Sequence, residues 1–268
     1  MDINYQPYQG NVKHSNSYLT LIPSAPLNHW IQTFWQLNVP DGHYEYRSIP
    51  DNCVDLIVNL DNPGDMFIIT PFSSSIVFTM TGPISYFGIR FRILGHQGLI
   101  SAPLGQWNNP RHQIHASEIL PQNIFSEIYD GIALQTDFES LCSYISNILI
   151  GTLKPGKIDK RLQHYILYCQ HNISSSIPLT DNHCSKFGIS ARQLRRLTHN
   201  HLGLAPKEFA SVLRFQHTLK IMNTLAHTPE WSRHYYDQSH FNREFKSMSG
   251  MTPSEFVNLS VLYNPGKE

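Results

Sequence analysis

The sequence predicts an α+β, multidomain chain, with a β-rich N-terminal part and an all-α C-terminal part built on a tandem helix-turn-helix. Three observations carry this. A pattern recurs 47 residues apart: Leu194-Arg195-Arg196 with Gly203-x-x-Pro206-x-Glu208-Phe209, then Phe241-Asn242-Arg243 with Gly250-x-x-Pro253-x-Glu255-Phe256. The charge is divided. Residues 1–156 carry 6 Lys+Arg against 12 Asp+Glu and residues 157–258 carry 13 against 7, although all 268 residues together are formally neutral. The apolar pattern also changes, from short runs broken by turn residues to stripes of helical period.

The first domain is expected over residues 1–115. Strands are expected at 18–22, 53–60, 66–70, 76–80 and 86–93, and Asp61-Asn62-Pro63-Gly64 is a strong turn. Many short strands with turns between them suggest a barrel or sandwich. One interruption is expected at 26–37, where Leu27, Trp30, Ile31 and Phe34 are spaced like a helix face. Residues 116–156 are expected as a helical dimerisation segment and linker. Ile124, Ile128 and Ile132 form one stripe, and Phe138, Leu141, Cys142, Ile145, Ile148 and Leu149 form another. Such a stripe packs either within its own domain or against a second copy. The linker is placed at 151–156, where the charge changes sign. Residues 157–268 are expected as helices at 158–171, 179–187, 191–201, 206–225, 239–249 and 253–262. Gly188 and Gly203 mark turns, and Ser190 is a natural N-cap.

Composition narrows the function. With 41% hydrophobic and 15% charged residues the chain can bury cores and is not disordered. No apolar run approaches a membrane span, and no basic segment leads an apolar one at the N-terminus, so neither an anchor nor a signal peptide is expected. Cys53, Cys142, Cys169 and Cys184 are scattered singly, which fits a reducing cytoplasm. The pairs His199-x-His201 and His112-x-x-His115 have no supporting Cys or carboxylate constellation, so no metal is expected. Asp51, Asp55 and His43 could be drawn as an acid–base cluster, but turn and surface roles are the expectation. No G-x-S-x-G, phosphate loop or H-E-x-x-H is present, so no enzyme activity and no cofactor are expected.

The repeat carries the chemistry. In a helix-turn-helix the second helix enters the major groove and its outward side chains read base edges. On the helix from Ala191, Leu194 and Leu197 face inward, which leaves Arg192, Arg195 and Arg196 outward. Guanidinium bonds bidentately to guanine or to phosphate. On the second helix Phe241 and Phe245 face inward, leaving Gln238, Ser239, Asn242, Arg243 and Lys246 for DNA. Glutamine and asparagine suit adenine.

Three blocks carry a family resemblance. They are Phe187-Gly188-Ile189-Ser190-x-x-x-Leu194-x-Arg196, Tyr235-Tyr236-Asp237-Gln238-Ser239-His240-Phe241-Asn242-Arg243-Glu244-Phe245-Lys246, and Gly250-Met251-Thr252-Pro253-x-x-Phe256. They closely resemble the DNA-binding domain of the AraC/XylS family of bacterial transcription regulators, over residues 158–258. The resemblance implies one long helix, here 206–225, joining two subdomains whose recognition helices sit in successive major-groove turns. One segment departs from the family. Residues 228–234 lack the usual Ile-Ala pair and turn glycine before the second recognition helix.

Ile49-Pro50-Asp51-Asn52-Cys53-Val54-Asp55-Leu56-Ile57 and Gly88-Ile89-Arg90-Phe91 resemble a domain found fused to such regulators. That weaker resemblance implies a cupin-like barrel acting as a sensor or dimerisation module. Arg47, Arg90 and Arg92 are candidate anchors for a ligand in it, although strand arginines more often face water. The expected protein is a cytoplasmic, homodimeric activator of transcription. Its expected partner is double-stranded DNA, with RNA polymerase and a small-molecule effector as further candidates. Two alternatives stand beside it: a regulator acting through ligand or protein contacts with a degenerate second helix-turn-helix, and a cupin-like enzyme fused to a DNA-binding module.

Overall fold

The computed structural model describes residues 3, 5–8, 17–100, 102–107, 112–135, 137–154, 156, 158–173, 178–224, 235–257 and 262–263. The divergent segment 228–234 lies outside the described residues. The strands are β1 (Tyr18–Leu21), β2 (Ile31–Ser48), β3 (Val54–Asn59), β4 (Met66–Ile69), β5 (Ile76–Phe91), β6 (Gln113–His115) and β7 (Leu262–Tyr263). They form one antiparallel sheet in the order β1-β2-β5-β3-β4-β6, with β7 pairing to β2 at Glu45 and Tyr46. The ends of this order, β1 and β6, do not pair with each other, so the expected barrel is an open sheet.

Residues 26–37 are not the expected helix. Only Leu27–His29 form a 3-10 turn, and Ile31 onward belongs to β2. The run Thr33-Phe34-Trp35 is rich in residues that fit a pleated surface, and pairing with β5 satisfies its backbone. Phe34 stacks on Phe87 across that pairing, with ring centroids 5.9 Å apart. Strands 76–80 and 86–93 prove to be parts of one strand, because 81–85 also pairs with β2.

The two faces of the sheet have different fates. Val54, Leu56 and Val58 of β3, with Phe87, Ile89 and Phe91 of β5, pack against α1 (Gln122–Ile132) and α2 (Phe138–Thr152). α2 starts at Asp137, whose side chain accepts from Ser140 N while Ser140 bonds back, a capping box. Leu141, Ile145 and Leu149 are at most 3% exposed in this core. Their stripe is therefore covered by the chain's own sheet and is not open to a second copy, which corrects the expected dimerisation face. Burying each such side chain is worth about 1.5–3 kcal/mol, which fixes the helices on the sheet.

The opposite face carries Trp35, Leu37, Asp55, Ile57 and Arg90. Trp35 and Ser48 line one cavity there. They stand 13 residues apart on β2, roughly 43 Å along a straight strand. The β2–β5 ribbon must therefore bend, and its register shifts between Val39 and Gly42. Gly88 makes room for Trp35, since a Cβ there would lie 2.0 Å from the indole ring.

The C-terminal helices are α3 (Lys160–His171), α4 (Asp181–Cys184), α5 (Ala191–Leu202), α6 (Pro206–Thr224), α7 (Gln238–Ser249) and α8 (Pro253–Val257). The last falls short of the expected 253–262, because Leu262 is in β7. One core gathers Leu162, Tyr165, Phe187, Leu194 and Phe209, and the other gathers Phe215, Leu219, Phe241, Phe245 and Phe256. Each continues into the first half of the chain. The first core includes Tyr5, Cys53, Ile93 and Leu94, and the second includes Ile49. The charge boundary at 156 is thus not a packing boundary. No described helix is long and apolar enough to cross a membrane.

Candidate nucleic-acid interface

The repeat has one structural meaning in both copies. Gly203 and Gly250 end α5 and α7 with φ of 69° and 80°, a left-handed conformation that glycine adopts without strain. Their N–H groups donate to His199 O and Lys246 O. Pro206 and Pro253 then begin α6 and α8. Glu208 Oε2 accepts from Ala205 N at 2.8 Å, and Glu255 Oε2 accepts from Thr252 N at 2.7 Å. Phe209 and Phe256 are buried beside these caps.

Each repeat holds a helix with one buried and one wet face. Ser190 caps α5 through Gln193 N, and Asp181 accepts from Ala191 N at 2.7 Å, tying α4 to the start of α5. Leu194 and Thr198 are fully buried, whereas Arg192, Arg195 and Arg196 are exposed. On α7, Asp237 caps through His240 N, and Phe241 and Phe245 are buried. Gln238, Ser239, Asn242, Arg243 and Lys246 are all exposed. Gln238 donates to Asn242 Oδ1 at 3.2 Å and Arg243 donates to Ser239 O at 3.3 Å, so these side chains lie along one face. All eight residues singled out from the sequence fall on exposed helix surface.

α6 braces α7. Arg214 meets Glu244 at 2.8 Å and lies 5.5 Å from the centroid of the Tyr235 ring. Thr218 donates to the Tyr235 hydroxyl at 3.3 Å. The far half of α5 is docked on the first half of the chain. His199 packs on Gly105, and Gln97 Nε2 pairs with His201 Nδ1 at 3.1 Å. Nearby His96 is 3% exposed, and burial, with some help from His201, pushes it down to about 3. Ser75 N donates to Met248 O at 2.7 Å, tying β5's approach to α7.

Asp51, Asp55 and Arg90 depart from expectation. The two carboxylates are not surface or turn groups, and Arg90 does not face water: all three are at most 8% exposed. Arg90 Nε donates to both Asp55 oxygens at 3.1 and 3.2 Å, and Nη2 meets Asp51 Oδ2 at 3.2 Å. Trp35 Nε1 donates to Asp55 Oδ1 at 2.9 Å, and Cys53 N donates to Asp51 Oδ1 at 2.9 Å. Burial pushes the Asp55 carboxyl up and Arg90 opposes it, whereas the two carboxylates outweigh burial and raise Arg90. His43 is elsewhere, against Thr81 at 3.1 Å. Arg92 donates to Asn28 O at 2.6 Å, and Arg47 lies against Gly250. Alternation along β3 and β5 accounts for the shared face of Asp55 and Arg90, but only the bend in the β2–β5 ribbon covers that face.

Residues 183–258 match a helix-turn-helix domain, and residues 19–113 match a domain of unknown function (DUF6597). No curated protein matches the chain. Among solved structures, apo ToxT from Vibrio cholerae strain SCE256, in a variant form, aligns at TM-score 0.43 and 13% identity, covering 94% of this chain and 100% of that one. Wild-type ToxT from the same strain, bound to an unsaturated fatty acid, aligns at TM-score 0.39 and 14% identity, covering 93% and 96%.

Proposed function

We propose that this chain, which belongs to the AraC/XylS family of regulators by its helix-turn-helix domain, binds duplex DNA sequence-specifically through α5 and α7 and regulates transcription. The observation that carries this is the duplicated helix that ends on a left-handed glycine and keeps a polar outer face. Arg192, Arg195 and Arg196 form the first DNA-contacting set. Gln238, Ser239, Asn242, Arg243 and Lys246 form the second. The net positive charge of residues 157–258 favours phosphate approach. The first half contributes an effector-sensing module rather than a catalytic one. The exposure of all five α7 residues and the Arg214–Glu244 brace support a working second reader over a degenerate one.

The test uses the full chain, because both C-terminal cores borrow residues from the first half. Genomic fragments bound at low and moderate salt are recovered and sequenced. A shared motif with two half-sites about one helical turn apart is the expected result. Recovery without any shared motif would contradict specific recognition.

A further inference from the structure

The bent ribbon and the sheet's second face line a partly open cavity of about 190 Å³. Six of its lining side chains are aromatic, among them Trp35, Tyr46, Phe67, Phe78 and Tyr86. Its polar groups include Asp51, Asp55 and Arg90. Arg90 is 7% exposed, and two of its three nitrogens are engaged by the carboxylates. The third, Nη1, is buried without a hydrogen-bond partner. A buried charged donor left unmade is costly, and it marks a place where something else completes the bond.

The charge count sets what that is. Two carboxylates face one guanidinium, so an ionised acid entering the cavity would add negative charge to a group already in excess of it. The unpartnered group is a donor, and a cation offers it no acceptor. A neutral oxygen accepts from Nη1 without either penalty. The size sets the rest, since an apolar cavity of about 150 Å³ already admits a benzene ring.

We propose that this cavity is a binding site for a small, uncharged, predominantly aromatic molecule of one or two rings, whose carbonyl or hydroxyl oxygen accepts from Arg90 Nη1. This deepens the regulator function and rests on it for its consequence. The loop that supplies Asp51 and Cys53 to the cavity also grips α6. Pro50 O accepts from Gln216 Nε2 at 2.7 Å, and Asn52 Nδ2 donates to Phe209 O at 3.1 Å. Gln216 is 1% exposed and also accepts from Tyr8 N at 2.7 Å. Four consecutive residues thus join the ligand seat to the helix between the two DNA readers.

The test is calorimetric titration of the full chain at neutral pH with three probes of similar size: acetophenone, benzoate and ethylbenzene. Acetophenone should bind about tenfold or more tightly than either of the others, because only it offers a neutral acceptor. Ile57→Trp fills the cavity while leaving Asp51, Asp55 and Arg90 unsubstituted, and in a variant shown to be folded by circular dichroism it should abolish that binding. Benzoate or ethylbenzene binding as well as acetophenone, binding by none of the three, or unchanged binding in folded Ile57→Trp would overturn the proposal. DNA binding is measured in parallel without probe. DNA binding intact with no probe bound overturns the ligand site alone. Probe bound with the expected preference and no DNA binding supports the site and removes the regulator function.

Discussion

Arg192 and Arg195 stand on the exposed turns of α5, where a guanidinium reaches base edges or phosphates. Replacing either by alanine should cost about 1–3 kcal/mol at the specific site if it reads a base, and should relax the selected sequence at one position. Selection from a random DNA pool checks this, and an unchanged motif from both variants would assign them to phosphate alone. His96 gives a different prediction. Its folded pKa of about 3 lies below the ordinary 6.5, so the unfolded chain takes up the proton first as pH falls. Its contribution is complete above about pH 6.5 and is lost progressively towards pH 3, about 2 kcal/mol of it by pH 5. Melting temperature against pH should therefore flatten over that range in His96→Gln, and parallel profiles would contradict the assignment. The exposed polar side chains of α5 and α7 were legible because a polar face opposite Leu194 or Phe241 on a helix is set by local spacing. The burial of Arg90 was not. Alternation along β5 assigns a side chain to a face, but whether that face is covered depends on a bend between Val39 and Gly42, far away in sequence.

The caps of the repeat are the elements most closely tied to sequence. Gly203→Ala forces a Cβ into the left-handed region and should cost about 1–2 kcal/mol. Gly250→Ala should cost about the same, because the atoms its Cβ would crowd, Arg47 Nη1 at 2.6 Å and Ser75 Oγ at 2.9 Å, are ends of side chains that can turn aside. Urea unfolding of the two variants checks this, and a loss from either well above about 2 kcal/mol would contradict it. α2 gives the sharper test of an element. Leu141→Glu with Ile145→Glu would place two charges in the sheet's core, so the first half should unfold rather than yield folded monomers. Circular dichroism and sedimentation distinguish the outcomes, and a folded double variant would return the stripe to an intermolecular role. Capped helices were readable because Ser190, Gly203 and Pro206 act within a few residues of themselves. Residues 26–37 misled because Leu27, Ile31 and Phe34 fit the helical period, whereas in the strand Ile31 and Phe34 reach one core only across the register shift between Ile31 and Thr33.

Across the whole molecule, the two helix-turn-helix cores are closed by Tyr5, Ile49, Cys53, Ile93 and Leu94 from the first half. The division at 156 that charge suggested marks where cationic surface begins, and long-range packing that sequence does not display joins the two sides. Through Gln216 and Asn52, a molecule in the cavity can shift the balance of α6 between arrangements, and it does so only if it binds them unequally. Gln216→Ala should therefore leave acetophenone binding within a few fold while reducing its effect on DNA affinity; an unchanged effect would place the coupling elsewhere. The central claim, that α5 and α7 engage DNA, is tested most directly by the salt dependence of full-chain binding to a recovered fragment. Log affinity should fall linearly with log salt concentration. Removing Arg192, Arg195 and Arg196 together should lower the slope by up to about 3, since each phosphate that is no longer neutralised keeps its counterion. Absence of binding at any salt, or a triple variant with unchanged slope and affinity, would contradict it.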